Sequence, residues 1–251
     1  MTSGHGASNI PVPTTVRAAL VTGGSSGIGL AVAAALARLG TGVVITGRDE
    51  DRLRAAVDRI GAGGTPGGLL AVRADVRLAG DAERVVQAAV EHFGDLDILV
   101  NNAGVGRWGS VSELPVEAWA EVLDTNLTGV FHTCRAVLPV LRRRGGGWII
   151  NISSLAGQNP FAGGAAYCAS KAGLNAFTEA LMQEVRHDGI RVSLVLPGSV
   201  ATNFRGGGGA TAEWALQPED VAQVVVDLVG HEARSLPSRV EIRPSRPPKK
   251  G

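Results

Sequence analysis

TGGSSGIG occupies residues 22–29, between the apolar run AALVTG (18–23) and a helical pattern over 27–39. Gly23, Gly27 and Gly29 form a G-x-x-x-G-x-G turn there. Glycine permits a tight reversal and lets backbone approach a pyrophosphate closely. The helix that follows offers unpaired N–H groups and the positive end of its dipole. The strand–turn–helix context makes the turn a candidate dinucleotide cradle, with Ser25, Ser26 and Ile28 inside it. Two other readings compete. Gly23 to Gly27 also matches G-x-S-x-G, the nucleophile elbow of a hydrolase. That elbow needs an earlier strand and loop to build an oxyanion hole, and here the motif follows the first strand. The third reading is a glycine turn that binds nothing.

The same alternation recurs along the chain. Apolar, mostly β-branched runs at 42–47, 68–75, 96–102, 147–153, 190–197 and 238–244 read as strands buried on both faces. Segments 50–60, 80–93, 115–143, 165–187 and 218–230 suit helices. This pattern predicts an α/β fold: a Rossmann-type, doubly wound, seven-stranded and mostly parallel sheet with helices on both faces. No composition break divides it. Residues 16–243 are therefore expected to form one domain, between a flexible leader (1–15) and a flexible basic tail (244–251).

Composition removes several function classes. The 251 residues are 45% hydrophobic and 19% charged, which excludes a disordered chain. A net charge of +1 gives no footprint for nucleic acid or an anionic membrane surface. No apolar run reaches the roughly 18 residues of a membrane span. The leader carries neither the basic nor the apolar region of a secretory signal. Cys134 and Cys168 are too few for a disulfide scaffold and fit a reducing compartment, so a cytoplasmic protein is expected. His5, His92, His132, His187 and His231 are too scattered for a metal cluster, and no metal is expected.

Three places carry chemistry. Roughly twenty residues after the glycine turn, an acid would hold the adenosine ribose of NAD. Gly47-Arg48 stands there instead, and the planar Arg48 fork suits a 2′-phosphate. That favours NADP(H) over NAD(H), although Arg48 could simply open a solvated helix beside Asp49, Glu50 and Asp51. In YCASK (167–171), Tyr167 and Lys171 are four apart and share a helix face. They are the chain's one tyrosine and its one lysine outside the tail. A phenol of pKa near 10 is poorly suited to proton transfer at neutral pH, and a nearby cation lowers it. Finally, Ser154 closes the fifth strand, at the sheet edge where α/β folds bind ligands. A loop serine or helix cap is the plainer reading of Ser154.

TGGSSGIG, Asp75-Val76, NNAG (101–104), Asn126 in DTNLTG, Ser154, YCASK and PGSVAT (197–202) follow in order through nearly the whole chain. In this set the sequence resembles the short-chain dehydrogenase/reductase family in its single-domain form. The resemblance implies an NAD(P)-dependent oxidoreductase that interconverts a small-molecule ketone or aldehyde and an alcohol. Tyr167 would be the general acid or base, and Lys171 would lower its pKa and hold the nicotinamide ribose. Ser154 would polarise the carbonyl, and Asn126 would anchor a water linking Lys171 to solvent. Asp75 and Val76 would face the adenine, and Asn102, Ala103 and Gly104 would line the cofactor. Pro197, Gly198, Val200 and Thr202 would meet the nicotinamide end.

The resemblance also implies a homo-oligomer, a tetramer or dimer built on the helices within 115–143 and 165–187. Two departures concern cofactor and substrate. Ser26 replaces the basic residue that many NADP-using members carry in the glycine turn, which tempers the NADP(H) preference. The chain ends in SRVEIRPSRPP rather than in the glycine pair after an aspartate found in many 3-oxoacyl reductases. Trp108, Gln158, Phe161 and Trp214 are candidates to line the substrate pocket, and ordinary packing is the competing reading for each. Residues 203–216, with four successive glycines, are expected to form a flap that orders with ligand. The runner-up functions are an NAD-dependent alcohol or sugar dehydrogenase and a catalytically silent dinucleotide-binding regulator.

Overall fold

Alternate residues of each strand feed two different cores. Ala19 and Val21 pack on one sheet face while Ala18 and Leu20 pack on the other. Trp148, Ile150 and Ile152 divide from Ile149 in the same way. A strand with both faces covered has no polar side, which is why these runs read as nearly continuous hydrophobicity.

The computed structural model describes residues 18–205 and 213–247. The expected leader, residues 206–212 of the expected flap and the last four residues of the expected tail lie outside the described residues. The elements are β1 (Ala18–Val21), α1 (Gly27–Arg38), β2 (Gly42–Gly47), α2 (Glu50–Gly61), β3 (Leu69–Arg73), α3 (Ala79–Phe93) and β4 (Ile98–Asn101). Then come α4 (Val116–Leu123), α5 (Gly129–Arg143), β5 (Gly147–Ile152), α6 (Ala165–Val185), β6 (Ile190–Pro197), α7 (Pro218–Val229) and β7 (Arg239–Ile242).

The seven strands form one sheet in the order β3-β2-β1-β4-β5-β6-β7, and every neighbouring pair is parallel. Helices α1, α2 and α7 cover one face, and α3, α5 and α6 cover the other. The strand order reverses between β1 and β4, where Val21 stands opposite Val100. A crevice opens at such a switch point, outside the carboxyl ends of the strands. The turn after β1 and the loop after β4 therefore face each other there.

One expected helix carries a π turn within it. Residues 115–143 fold as α4, a π turn over Asp124–Thr128, and α5. A π turn carries one extra residue and rotates the helix face, a device often found at functional sites. It carries Asn126 into the interior, where no side-chain surface is exposed. The sheet's largest side chain, Trp148, buries its indole by donating Nε1–H to Ser193 Oγ at 3.0 Å. No helix among the described residues is long and apolar enough to cross a membrane.

Candidate active site

The turn between β1 and α1 is shaped by what glycine omits. Gly23 and Gly27 take positive φ of 64° and 52°. A Cβ on Gly29 would stand 2.3 Å from the Gly23 carbonyl oxygen and 2.4 Å from Asn102 Nδ2. The backbone thus packs on itself in a way no side chain permits. Ser26 caps α1 without a side-chain hydrogen bond, and the first turn holds no acid. The helix start is left suited to an anion supplied from outside.

The loop after β4 clamps this turn. Thr22 Oγ1 accepts from the Asn102 and Ala103 N–H groups at 3.0 and 3.1 Å. Asn102 Nδ2 donates to the carbonyls of Thr22 and Gly23. Sequence reasoning placed Asn102 and Ala103 along a cofactor; they also hold the glycine turn in shape. Thr22, quoted in the motif but given no role, is their anchor. Thr202 reaches the turn from the other side, with its methyl 3.3 Å from where a Gly27 Cβ would be.

At the end of β2, Arg48 is half exposed and lies 3.9 Å from Glu121 of α4, which also pairs with Arg107 at 2.8 Å. Asp75 accepts a two-pronged bond from Arg77. The Arg77 guanidinium holds the Asp75 carboxyl below the usual carboxylate range. Arg77 was missed in the sequence, although its place two residues past Asp75 could have signalled the pair. Val76 packs against Gly129 at the start of α5.

The second half of the site lies at the end of β5. Lys171 is buried, and its Nζ donates to the Ile152 carbonyl at 2.9 Å. Its Nζ stands 5.9 Å from the centre of the Tyr167 ring. Burial pushes its pKa down to about 8, because a low-dielectric surround disfavours the ammonium. Gly157, in the short turn Leu155–Gly157, would place a Cβ 2.8 Å from the Lys171 carbonyl, so only glycine lets this turn sit on α6. Ser154 caps the turn, accepting from Ala156 N–H at 3.1 Å. Both readings of Ser154 are compatible, because a hydroxyl that accepts still has a proton to donate. Asn126 exchanges amide bonds with Val105 and donates to Ser170 Oγ at 3.0 Å. It thus ties the loop after β4 to α6.

The substrate candidates separate. Trp108 meets Tyr167 at 5.3 Å between ring centres, and Phe161 lies 5.9 Å from Trp108. Gln158 lies near the Glu241 carboxylate on β7. Trp214 is partly exposed, just before the bridge between Val200 and Leu216. Phe204, which sequence reasoning did not single out, lies 5.5 Å from Tyr167. Pro197 and Gly198 stand at the β6 end, where Gly198 N–H donates to the Ile242 carbonyl. Among the described residues no group of three or more His, Cys, Asp or Glu could hold a metal.

Comparisons with known proteins identify the family. The family model for short chain dehydrogenase matches residues 17–212. An uncharacterized oxidoreductase of Staphylococcus epidermidis is 34% identical over 228 residues, covering 91% of this chain and 97% of its own. A metagenomic short-chain oxidoreductase solved in complex with NADP is similar at 36% identity and a TM-score of 0.81, covering 93% of this chain and 99% of that one. An actinorhodin polyketide ketoreductase solved with NADPH is 34% identical with a TM-score of 0.83, covering 91% and 96%. With its fold, its glycine turn and this match over most of its length, the chain belongs to the short-chain dehydrogenase family of oxidoreductases.

Proposed function

We propose that the chain is an NADP(H)-dependent oxidoreductase that interconverts a ketone or aldehyde and an alcohol. The observation that carries the proposal is the buried Lys171 ammonium, fixed on the Ile152 carbonyl beside the ring of Tyr167. A cation there stabilises the phenolate and makes proton exchange at Tyr167 Oη feasible near neutrality. In reduction, Tyr167 gives its proton to the carbonyl oxygen as the carbonyl carbon gains a hydride. In oxidation, Tyr167 takes the hydroxyl proton. Ser154 would donate a hydrogen bond to the same substrate oxygen, keeping its own proton, while its oxygen accepts from Ala156 N–H. Asn126 is a positioning residue that holds α6 against the loop after β4.

The glycine cradle fits the pyrophosphate of a nicotinamide dinucleotide: it is tight, uncapped and free of acids in the first helical turn. When bound, the nicotinamide supplies or accepts the hydride. Gly23, Ser25, Ser26, Gly27, Ile28 and Gly29 would hold the pyrophosphate end, and Asp75 and Val76 the adenine. Asn102, Ala103 and Gly104 would line the middle. Lys171, with two Nζ donors beyond the one on Ile152, would hold the nicotinamide ribose, and Pro197, Gly198, Val200 and Thr202 the nicotinamide itself. Arg48 would meet a 2′-phosphate, and the similar structures carrying NADP and NADPH support that preference. One observation favours the NAD(H) reading: Glu121 stands near the same guanidinium and would compete with a phosphate for it.

The test is NADPH consumption against a panel of ketones, β-ketoesters, diketones and quinones, with Tyr167→Phe beside the parent. Turnover that the variant loses while it still binds NADPH is the expected result. A Tyr167→Phe protein that turns over as well as the parent would overturn the proposal.

A further inference from the structure

The reaction proposed above leaves its substrate open, and the side chains around Tyr167 narrow it. Trp108 meets the phenol edge-on, at 5.3 Å and 62° between rings. Phe204 meets it at 5.5 Å and 57°. Trp108 and Phe204 also touch each other, at 6.4 Å and 72°, and Phe161 lies tilted against Trp108 at 5.9 Å and 34°. The chain has five Phe, four Trp and one Tyr, yet four of these rings gather here from separate segments. Trp108 follows β4, Phe161 precedes α6, and Phe204 sits in the short turn Asn203–Arg205.

Core packing does not explain the group. Trp108 is 36% exposed, Phe161 40% and Phe204 39%. Apolar rings kept partly open around one reactive hydroxyl are a binding surface rather than a core. Gly106 is part of the same construction. A Cβ there would come within 2.5 Å of Trp108 Cζ2 and 3.1 Å of Phe204 Cε1, so its absence lets both rings close over the backbone. The neighbouring charge is directed elsewhere, since Arg107 pairs with Glu121 at 2.8 Å. Among the described residues the group thus offers ring faces and edges to a ligand.

We propose, resting on the Tyr167 reading above, that the substrate is an aryl ketone and that Trp108 and Phe204 determine this specificity. A flat ring conjugated to the carbonyl has the quadrupole that the exposed aromatic edges and faces recognise. Its carbonyl carbon gains the hydride and its oxygen takes the Tyr167 proton, giving a secondary benzylic alcohol as the reduced nicotinamide is oxidised. A saturated ring of the same carbon skeleton offers similar apolar area without the quadrupole.

The test compares acetophenone with cyclohexyl methyl ketone on the NADPH-loaded protein, for the parent, Trp108→Leu and Phe204→Leu. Turnover is read as kcat and KM, and binding of each ketone by equilibrium dialysis. The parent is expected to favour acetophenone by roughly 2- to 12-fold for each aromatic contact. Each leucine variant should lose that factor in the ratio of kcat/KM for acetophenone to that for the saturated ketone, carried mainly by KM. Preferential acetophenone binding without turnover would support the aryl subsite while overturning the hydride-transfer reading. Equal use of the two ketones by an active parent would overturn the subsite and leave the reaction standing. Neither turnover nor binding of either ketone would overturn both.

Discussion

Replacing Lys171 by methionine removes a charge the fold holds at a cost, and the cost has a calculable pH signature. Burial lowers the Lys171 pKa from the ordinary 10.5 to about 8. At ~1.36 kcal/mol per pH unit, that displacement is worth about 3 kcal/mol. Below pH ~8 the lysine is protonated in both folded and unfolded chains, so the folded state bears the whole cost. Between about 8 and 10.5 the folded chain sheds its proton while the unfolded chain keeps it. The unfolded state then binds more protons, and stability rises with pH. Lys171→Met has no such slope. Loss of the bond to the Ile152 carbonyl costs the variant about 1 kcal/mol at every pH, so the slope decides and not the offset.

Urea unfolding of the cofactor-free protein, followed by circular dichroism from pH 7 to 9.5, reads the difference at each pH and cancels the groups common to both chains. The parent should gain about 2 kcal/mol on the variant between pH 8 and 9.5. At about 2–4 °C per kcal/mol, this is a melting-temperature change of roughly 4–8 °C. Parallel profiles for the two proteins would refute the buried, titrating ammonium and the proton chemistry built on it.

Two further outcomes follow from the cofactor half. Gly29→Ala should lose dinucleotide affinity and about 1–3 kcal/mol of stability, because its methyl meets the Gly23 carbonyl at 2.3 Å; calorimetry with NADPH reads the first and thermal unfolding the second, and a normal variant would refute the packed turn. Arg48→Ala should shift the ratio of NADPH to NADH affinity against NADPH by roughly 10- to 100-fold, the worth of a charge-assisted bond. An unchanged ratio in fluorescence titrations would remove Arg48 from phosphate recognition.

The parts of this molecule legible in sequence are those whose signal is local. A strand covered on both faces announces itself by its own residues, so all seven strands fell where apolar runs predicted them. The glycine turn was legible because backbone that packs on itself excludes side chains at fixed spacing. Four-residue spacing likewise put Tyr167 and Lys171 on one face of α6. The π turn at 124–128 was not legible, since one extra residue rotates a helix face without interrupting its apolar pattern. Gln158 is one of the four candidates for the pocket lining. The strand pairing of β7 with β6 brings Glu241 near it, and pairing across such separation leaves no local trace. Phe204 was missed for the same reason: a lone phenylalanine beside a glycine run carries no sign of the ring it will face.

Isotopic labelling follows the hydride itself. The protein is given NADPH deuterated at the transferable ring position, together with a ketone from the panel, and the alcohol is analysed by mass spectrometry and NMR. One deuterium is expected on the carbinol carbon and none on the hydroxyl oxygen, with label transfer lost in Tyr167→Phe. Alcohol formed without deuterium at carbon, or label transfer undiminished in the variant, would contradict the proposed reaction.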